Sequence, residues 1–111
     1  MPMDDLDTDF FLIANLRPAT TGLLMVVWVS ERGNARREVR VEVALQHGDR
    51  IDPSHTAVFG VRPSPSLIFG NLSAADQRVV SDWITLNDAA IVEYWDGVID
   101  AAELLRRLKR V

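Results

Sequence analysis

The chain lacks several features that would each point to a particular class of protein. It has no cysteine, which excludes disulfide bonds, thiolate metal ligands and a cysteine nucleophile. Its longest apolar run, residues 23–29, is far shorter than the roughly 20 residues that cross a bilayer. Its first residues are acidic and lack the basic start of a secretory signal. These absences predict a cytoplasmic protein with no membrane partner.

The chain also has fewer basic than acidic residues. Lys and Arg total 12 against 16 Asp and Glu, a formal net charge of −4 at pH 7. Residues 1–10 carry four aspartates and no base. Proteins that bind nucleic acid are usually basic, because they neutralise phosphates. The balance therefore disfavours a nucleic-acid partner, although a local basic patch keeps that partner open.

The size and composition of the chain indicate one globular domain. Its 111 residues are 48% hydrophobic and 25% charged, which is typical of a folded domain of this length. Residues 1–9 are acidic and predict a flexible tail. Residues 10–111 then form a single α+β domain, with residues 10–70 rich in β-structure and residues 71–111 helical.

The first part of the domain predicts an antiparallel β-meander of about four strands. Residues 23–30 are rich in β-branched and aromatic residues and are apolar on both faces, so both faces should be covered. Residues 37–45 alternate apolar and polar side chains and pair with them as a hairpin through a turn at residues 31–35. The other predicted segments are residues 10–16 (a strand or a packed entry segment), residues 57–62 and an edge strand at Ser66–Phe69.

The last part of the chain predicts one long helix and one short helix packed against this meander. Ser73 is a good N-cap, and an apolar stripe at helical spacing runs over residues 74–95. Asn87 and Asp88 favour caps over helix interiors and are a possible break. Asp100 opens the short helix, with a capping-box partner at Glu103.

One candidate site is a loop that contains both histidines. His47, Asp49, Asp52 and His55 lie close together in the sequence and are types of residue that bind divalent metals. They would support a small metal-dependent hydrolase. Their spacing matches no metal motif, however, and the same residue types serve turn chemistry in loops. We therefore predict no metal and no cofactor, and keep these residues as weak candidates.

A second candidate site is the arginine-rich hairpin. Arg32, Arg36, Arg37 and Arg40 offer forked donors for phosphate or for an acidic partner. They can equally form a solvated face whose charge neighbouring glutamates offset. The acidic tail of the same chain is a further possible partner for them.

A third candidate is an aromatic group on the long helix. Tyr94 and Trp95 lie near its end, and such residues are enriched at interaction hot spots. At helical spacing with Val and Ile, aromatic residues such as Trp83 more often belong to the core. The sequence has neither a nucleophile-elbow pattern nor a glycine-rich phosphate loop, so it predicts no catalytic residue.

The helical end resembles part of a group of small uncharacterised bacterial proteins. The similarity is carried by Leu72-Ser73-Ala74-Ala75-Asp76, Val79-Val80-Ser81-Asp82-Trp83-Ile84, Leu86-Asn87 and Tyr94-Trp95-Asp96-Gly97. In some members of that group a hairpin is followed by a helix with a Trp-x-x-x-(Asn/His) pattern and a Tyr or Trp near its end, and some members are predicted parts of toxin–antitoxin-like gene pairs. The histidine-containing strand of that group's first half is not evident in this sequence, so the resemblance assigns no functional residue.

These observations favour a non-enzymatic protein-interaction module over an enzyme. The second apolar face of residues 23–29 needs a cover, which could be residues 10–16, a sheet curled on itself or a second copy of the chain. The last option predicts self-association as a homodimer, with another protein as a possible partner. The first alternative is an antitoxin-like regulatory partner that binds nucleic acid or an acidic protein through the arginine-rich hairpin. The second alternative is the small metal-dependent hydrolase.

Overall fold

The structure is a computed structural model that describes residues 13–32 and 38–111. Its strands form one five-stranded antiparallel sheet in the order β1-β2-β3-β4-β5. The elements are β1 (Ile13–Leu16), α1 (Pro18–Thr21), β2 (Val27–Ser30), β3 (Arg40–Ala44), β4 (Thr56–Gly60), β5 (Ser66–Phe69), α2 (Ala74–Leu86), α3 (Asp88–Trp95) and α4 (Ala101–Arg107). The α+β class is confirmed, with five strands instead of about four. The predicted tail at residues 1–9 lies outside the described residues.

The strand over residues 23–30 is shorter than predicted, because β2 begins only at Val27. Gly22 ends α1 in the left-handed region with φ 81°, and the N–H of Leu23 donates to Oγ1 of Thr21 at 3.0 Å. The chain therefore bends before it pairs with the sheet. Leu23 and Met25 are nevertheless almost completely buried. The prediction that both faces of this run are covered is wrong at Leu24, which is 56% exposed in the bend, and only the second part of the run is a strand.

The other strand boundaries also differ from the predictions. Among the described residues, β3 begins at Arg40 rather than at residue 37, and β4 ends at Gly60 rather than at residue 62. The prediction of Ser66–Phe69 is confirmed, and this strand lies at one edge of the sheet. Ile13–Leu16 forms the opposite edge. Residues 10–12 and 33–35 of the predicted first strand and turn lie outside the described residues.

The predicted long helix is two helices that meet at Asn87. The backbone N–H of Asn87 still donates to the carbonyls of Trp83 and Ile84, at 3.1 Å each. Its side-chain Nδ2 also donates to the Trp83 carbonyl, at 3.0 Å, and so ends α2. Asn favours such local hydrogen bonds over a helix interior, which is the physical reason for the break.

The predicted helix caps are confirmed. Oγ of Ser73 accepts the N–H of Asp76 at 3.1 Å at the start of α2. Oδ1 of Asp100 accepts the N–H of Glu103 at 2.8 Å at the start of α4. Each cap satisfies one of the backbone donors that a helix leaves unpaired at its beginning.

The two faces of the sheet differ strongly in burial. We call one the covered face; it is formed by Val27, Val29, Val41, Val43, Ala57 and Phe59, all of which are almost fully buried. The helices supply the matching apolar stripe, with Val80, Trp83, Ile84, Ile91 and Tyr94. Full burial of a side chain such as Ile84 contributes about 1.5–3 kcal/mol of transfer free energy. This layer is the core of the domain.

Candidate interaction surface

The loop between β3 and β4 carries both histidines, and each one contacts a different carboxylate. Nε2 of His47 lies 2.9 Å from Oδ2 and 3.2 Å from Oδ1 of Asp76. Asp76 belongs to the first turn of α2, so this contact ties the loop to the helix. His55 instead contacts Asp52 within the loop. The structure therefore does not bring the two histidines to a common ligand position.

Asp52, Ser54 and His55 form a compact turn. Oδ1 of Asp52 accepts the hydroxyl of Ser54 at 2.5 Å and its backbone N–H at 3.1 Å. Nδ1 of His55 lies 3.1 Å from Oδ2 of Asp52 and 3.0 Å from Oγ of Ser54. The hydrogen bonds from Ser54, and then the one from His55, lower the pKa of Asp52 to about 2.

This turn does not have the geometry of a hydrolytic triad. In a triad the carboxylate and the nucleophilic hydroxyl contact opposite nitrogens of the imidazole. Here Asp52 and Ser54 both contact Nδ1 of His55. The arrangement is that of an Asx turn, in which an aspartate side chain accepts hydrogen bonds from residues that follow it.

The four metal-ligand candidates of this loop do not come together at one site. Across residues 13–32 and 38–111, no group of three or more His, Cys, Asp or Glu side chains is placed to hold a metal ion. Asp49 contributes its backbone carbonyl, which accepts from Nε of Arg17 at 3.4 Å. The N–H of Gly48 donates to the carbonyl of Leu24 at 2.8 Å. These contacts attach the loop to the segments around α1.

The arginine candidates do not form one described cluster. Arg36 and Arg37 lie outside the described residues. Arg32 is exposed, and its backbone N–H donates to the carbonyl of Trp95 at 2.8 Å, which joins the end of β2 to the end of α3. Arg40 lies on β3, where its Nε is screened from solvent and has no hydrogen-bond partner among the residues that the structure describes.

The aromatic candidates are core residues in this structure. Tyr94 and Trp95 are 2% and 5% exposed, and Trp83 is completely buried. Burial, and then the negative charge of Glu31, raise the pKa of Tyr94. The buried Nε1 of Trp83 has no acceptor within residues 13–32 and 38–111. Tyr94 and Trp95 therefore support the packing of α3 and present little surface to a partner.

The surface with the clearest capacity to bind is the second face of the sheet. We call it the outer face; it comprises Ile13, Asn15, Trp28, Ser30, Arg40, Glu42, Ala44, Thr56, Val58, Gly60, Ser66, Ile68 and Phe69. The strand register places Trp28, Glu42, Val58 and Phe69 in one row across it. Trp28 is largely buried, whereas Glu42 and Phe69 are exposed. Val58 is half-buried, so the row is buried at β2 and exposed at β3 and at the β5 edge.

An apolar patch lies at the β5 edge of the outer face. Phe69 is 67% exposed and Ile68 is 51% exposed. Phe69 pairs with Val58 and Leu67 pairs with Phe59, so a register shift leaves Ile68 as an extra residue between them. The Cδ1 atom of Ile68 lies beside Gly60. We refer to Val58, Ile68 and Phe69 as the β5 patch.

Two charged residues occupy the middle of the outer face. Arg40 and Glu42 are two positions apart on β3, the central strand, so their side chains point to the same side. Neither forms an ion pair with any residue in the described parts of the chain. The outer face thus combines an apolar edge with a central pair of opposite charges.

Sequence reasoning identified Arg40 but not Glu42 or the β5 patch as binding candidates. The pattern of residues 66–69 predicts an edge strand correctly, but an apolar strand residue looks the same whether it is buried or exposed. The register shift that places Ile68 and Phe69 together depends on the pairing with β4. An available signal was the presence of Ile and Phe on a strand already expected to lie at an edge.

Comparison with known proteins gives no guide to the use of this surface. No protein-family model, curated protein sequence or solved structure matches the chain. The resemblance of the helical end to small bacterial proteins therefore stays a prediction. Within the described ranges, none of the helices combines the length and the apolar character needed to span a membrane.

Proposed function

We propose that this chain is a non-enzymatic protein-interaction module that self-associates through the outer face of its sheet. The observation that carries the proposal is the β5 patch, where Ile68 and Phe69 are more than half exposed beside Val58. Contiguous exposed apolar side chains, unlike single ones, are typical of binding surfaces. A second sheet face is the natural cover for the exposed part of the outer face, on which Trp28 and Ala44 are already buried.

The charges on the outer face favour a second copy of the chain over an unrelated partner. Arg40 and Glu42 lie side by side on β3 with opposite signs. A uniformly acidic or basic partner would match one of them and repel the other. A second copy carries both signs and can match both in a twofold arrangement, in which the same surface is used twice.

The features of β5 favour packing of faces over pairing of edges. The strand has only four residues, follows Pro65 and carries the register shift. Short edge strands, prolines and bulges all hinder strand addition. Association through the side chains of the outer face is not affected by them. A cytoplasmic location remains the expected setting, and the antitoxin-like and hydrolase functions stay alternative predictions.

Sedimentation velocity over a range of concentrations tests this function. The wild-type chain should form dimers at micromolar concentration, and Phe69→Ser should shift it to monomer without lowering the melting temperature appreciably. Leu105→Ser is the matched control, because Leu105 is likewise an exposed apolar side chain (51%, against 67% for Phe69) but lies on α4. Monomeric wild type, or equal loss of dimer in both variants, would refute the proposal.

A further inference from the structure

The outer face also restricts how two copies can face each other. Two sheets that pack in the aligned manner of a β-sandwich keep their strands within about 30° of each other, and we consider a pair of this class. A closed pair of identical chains uses a twofold axis. For face-to-face packing that axis lies between the sheets and runs either along the strands or across them. These two arrangements bring different residues into contact.

The axis along the strands gives unfavourable contacts. It would place β3 of one copy parallel to β3 of the other, with Arg40 over Arg40 and Glu42 over Glu42. It would also place β5 over β1, since the two strands lie at opposite edges of the sheet. The like charges would then repel each other, and the β5 patches of the two copies would lie at opposite ends of the interface.

The axis across the strands gives favourable contacts. It reverses the direction of β3 between the copies, so that Arg40 of each chain meets Glu42 of the other at the level of Val41. It also places β5 over β5, which brings the two β5 patches together. Both Arg40 and Glu42 lack an ion-pair partner among the described residues, so each can pair without breaking an ion pair of that part of the chain.

We infer that two copies pack their outer faces about a twofold axis perpendicular to the strands, with reciprocal Arg40–Glu42 pairs at the centre and the two β5 patches stacked at one end. This inference rests on the proposed function and specifies its geometry. The ion pairs select the orientation and exclude partners with a different charge pattern, while the apolar patches supply buried area.

A single spin label distinguishes the two orientations. The chain has no cysteine, so Ser66→Cys on β5 offers one labelling position, and Ser66 is exposed on the outer face opposite Gly60. With sheets about 10 Å apart and strands about 4.8 Å apart, the two Ser66 positions lie about 10–15 Å apart for the axis across the strands. For the axis along the strands they lie about 20 Å or more apart. We expect strong spin–spin broadening that disappears on dilution with unlabelled protein.

Charge reversal provides a second, independent readout. Arg40→Glu and Glu42→Arg should each weaken homodimer formation at least about tenfold, because each variant places like charges across the interface. An equimolar mixture of the two variants should recover association, since opposite signs then face each other. Circular dichroism checks that each variant is folded. Glu42→Arg should disturb the fold less than Arg40→Glu, because Glu42 is exposed whereas Nε of Arg40 is buried.

The possible outcomes separate this inference from the proposed function. If the wild type dimerises and Phe69→Ser abolishes the dimer, but the Ser66 labels show no broadening, the orientation is wrong and the function stands. If charge reversal leaves the affinity unchanged, the reciprocal pairs are wrong. If the wild type is monomeric throughout, both proposals are overturned.

Discussion

The side-chain amide of Asn87 forms two hydrogen bonds with the backbone of Lys109. Oδ1 of Asn87 accepts the N–H of Lys109 at 2.7 Å, and Nδ2 donates to its carbonyl at 3.0 Å. Asn87 is one of two buried polar residues in the described chain. It therefore links the junction of α2 and α3 to the segment after α4.

Replacing Asn87 should destabilise the domain through these contacts. We expect Asn87→Ala to lower the free energy of unfolding by about 1–3 kcal/mol, because it leaves backbone groups of Lys109 without their partners. Urea denaturation measures the change. Asn71→Ala is the control. Because Asn71 is exposed, this substitution should lower the free energy of unfolding by less than about 0.5 kcal/mol. Equal midpoints for the two variants would show that the Lys109 contacts are unimportant.

Gly22 should be sensitive to a methyl group for a reason that a second glycine does not share. Its φ is +81°, and an added Cβ would collide with the carbonyl oxygen of Val111, whose N–H donates to Thr21. Gly48 also has a positive φ, +108°, but nothing lies near its added Cβ. Gly22→Ala should therefore lower the free energy of unfolding more than Gly48→Ala does. Gly48→Ala adds only backbone strain, about 1 kcal/mol or more.

Thermal melting of both variants tests this difference. The larger drop in melting temperature should belong to Gly22→Ala, because steric overlap adds to the strain. If the two variants melt together, the segment at Val111 is not packed against Gly22 as described.

The Asp52 turn predicts an unusual titration. The hydrogen bonds from Ser54 and His55 lower the pKa of Asp52 from 3.8 to about 2. A depressed folded pKa stabilises the native state above the unfolded value, and this stabilisation is lost as the pH falls from about 4 through about 2. Carboxyl NMR should show Asp52 titrating near pH 2.

Ser54→Ala provides the matching perturbation for that titration. The substitution removes the hydroxyl donor at Oδ1 but keeps the backbone N–H. The pKa of Asp52 should therefore rise toward its ordinary value without reaching it. A titration near pH 4 in the unaltered protein would contradict the turn geometry.

The burial of Trp83 predicts a severe effect of charge at that position. Trp83 is completely buried between α2 and the sheet. Trp83→Asp should lower the free energy of unfolding by more than about 4 kcal/mol, because it removes core packing and buries a carboxylate. Arg78→Asp on the exposed side of the same helix is the control. A Trp83→Asp variant that melts like the control would refute the helix-on-sheet core.

Much of the fold could be predicted because its signals are local. Ser73 and Asp100 indicate helix starts because their own side chains cap the helices. Asn87 indicates the break because its side chain competes for backbone hydrogen bonds. The start of β2 could not be located in this way. Leu23 and Met25 are apolar because they are buried, and burial alone does not distinguish a bend from a strand.

The candidate surface could be predicted only in part. Its boundaries depend on which strands pair and on which face the helices cover, and both are tertiary properties. The contact between His47 and Asp76, 29 residues apart, is of the same kind. The Asp52–His55 contact, in contrast, spans three positions and follows from turn chemistry.

Backbone NMR over a dilution series tests self-association through the outer face most directly. Amide signals of Glu42, Val58 and Phe69 should move with concentration, while those of Leu105 on α4 should stay constant. The change should vanish in Phe69→Ser. Signals that are independent of concentration throughout, or changes confined to the helices, would contradict the account.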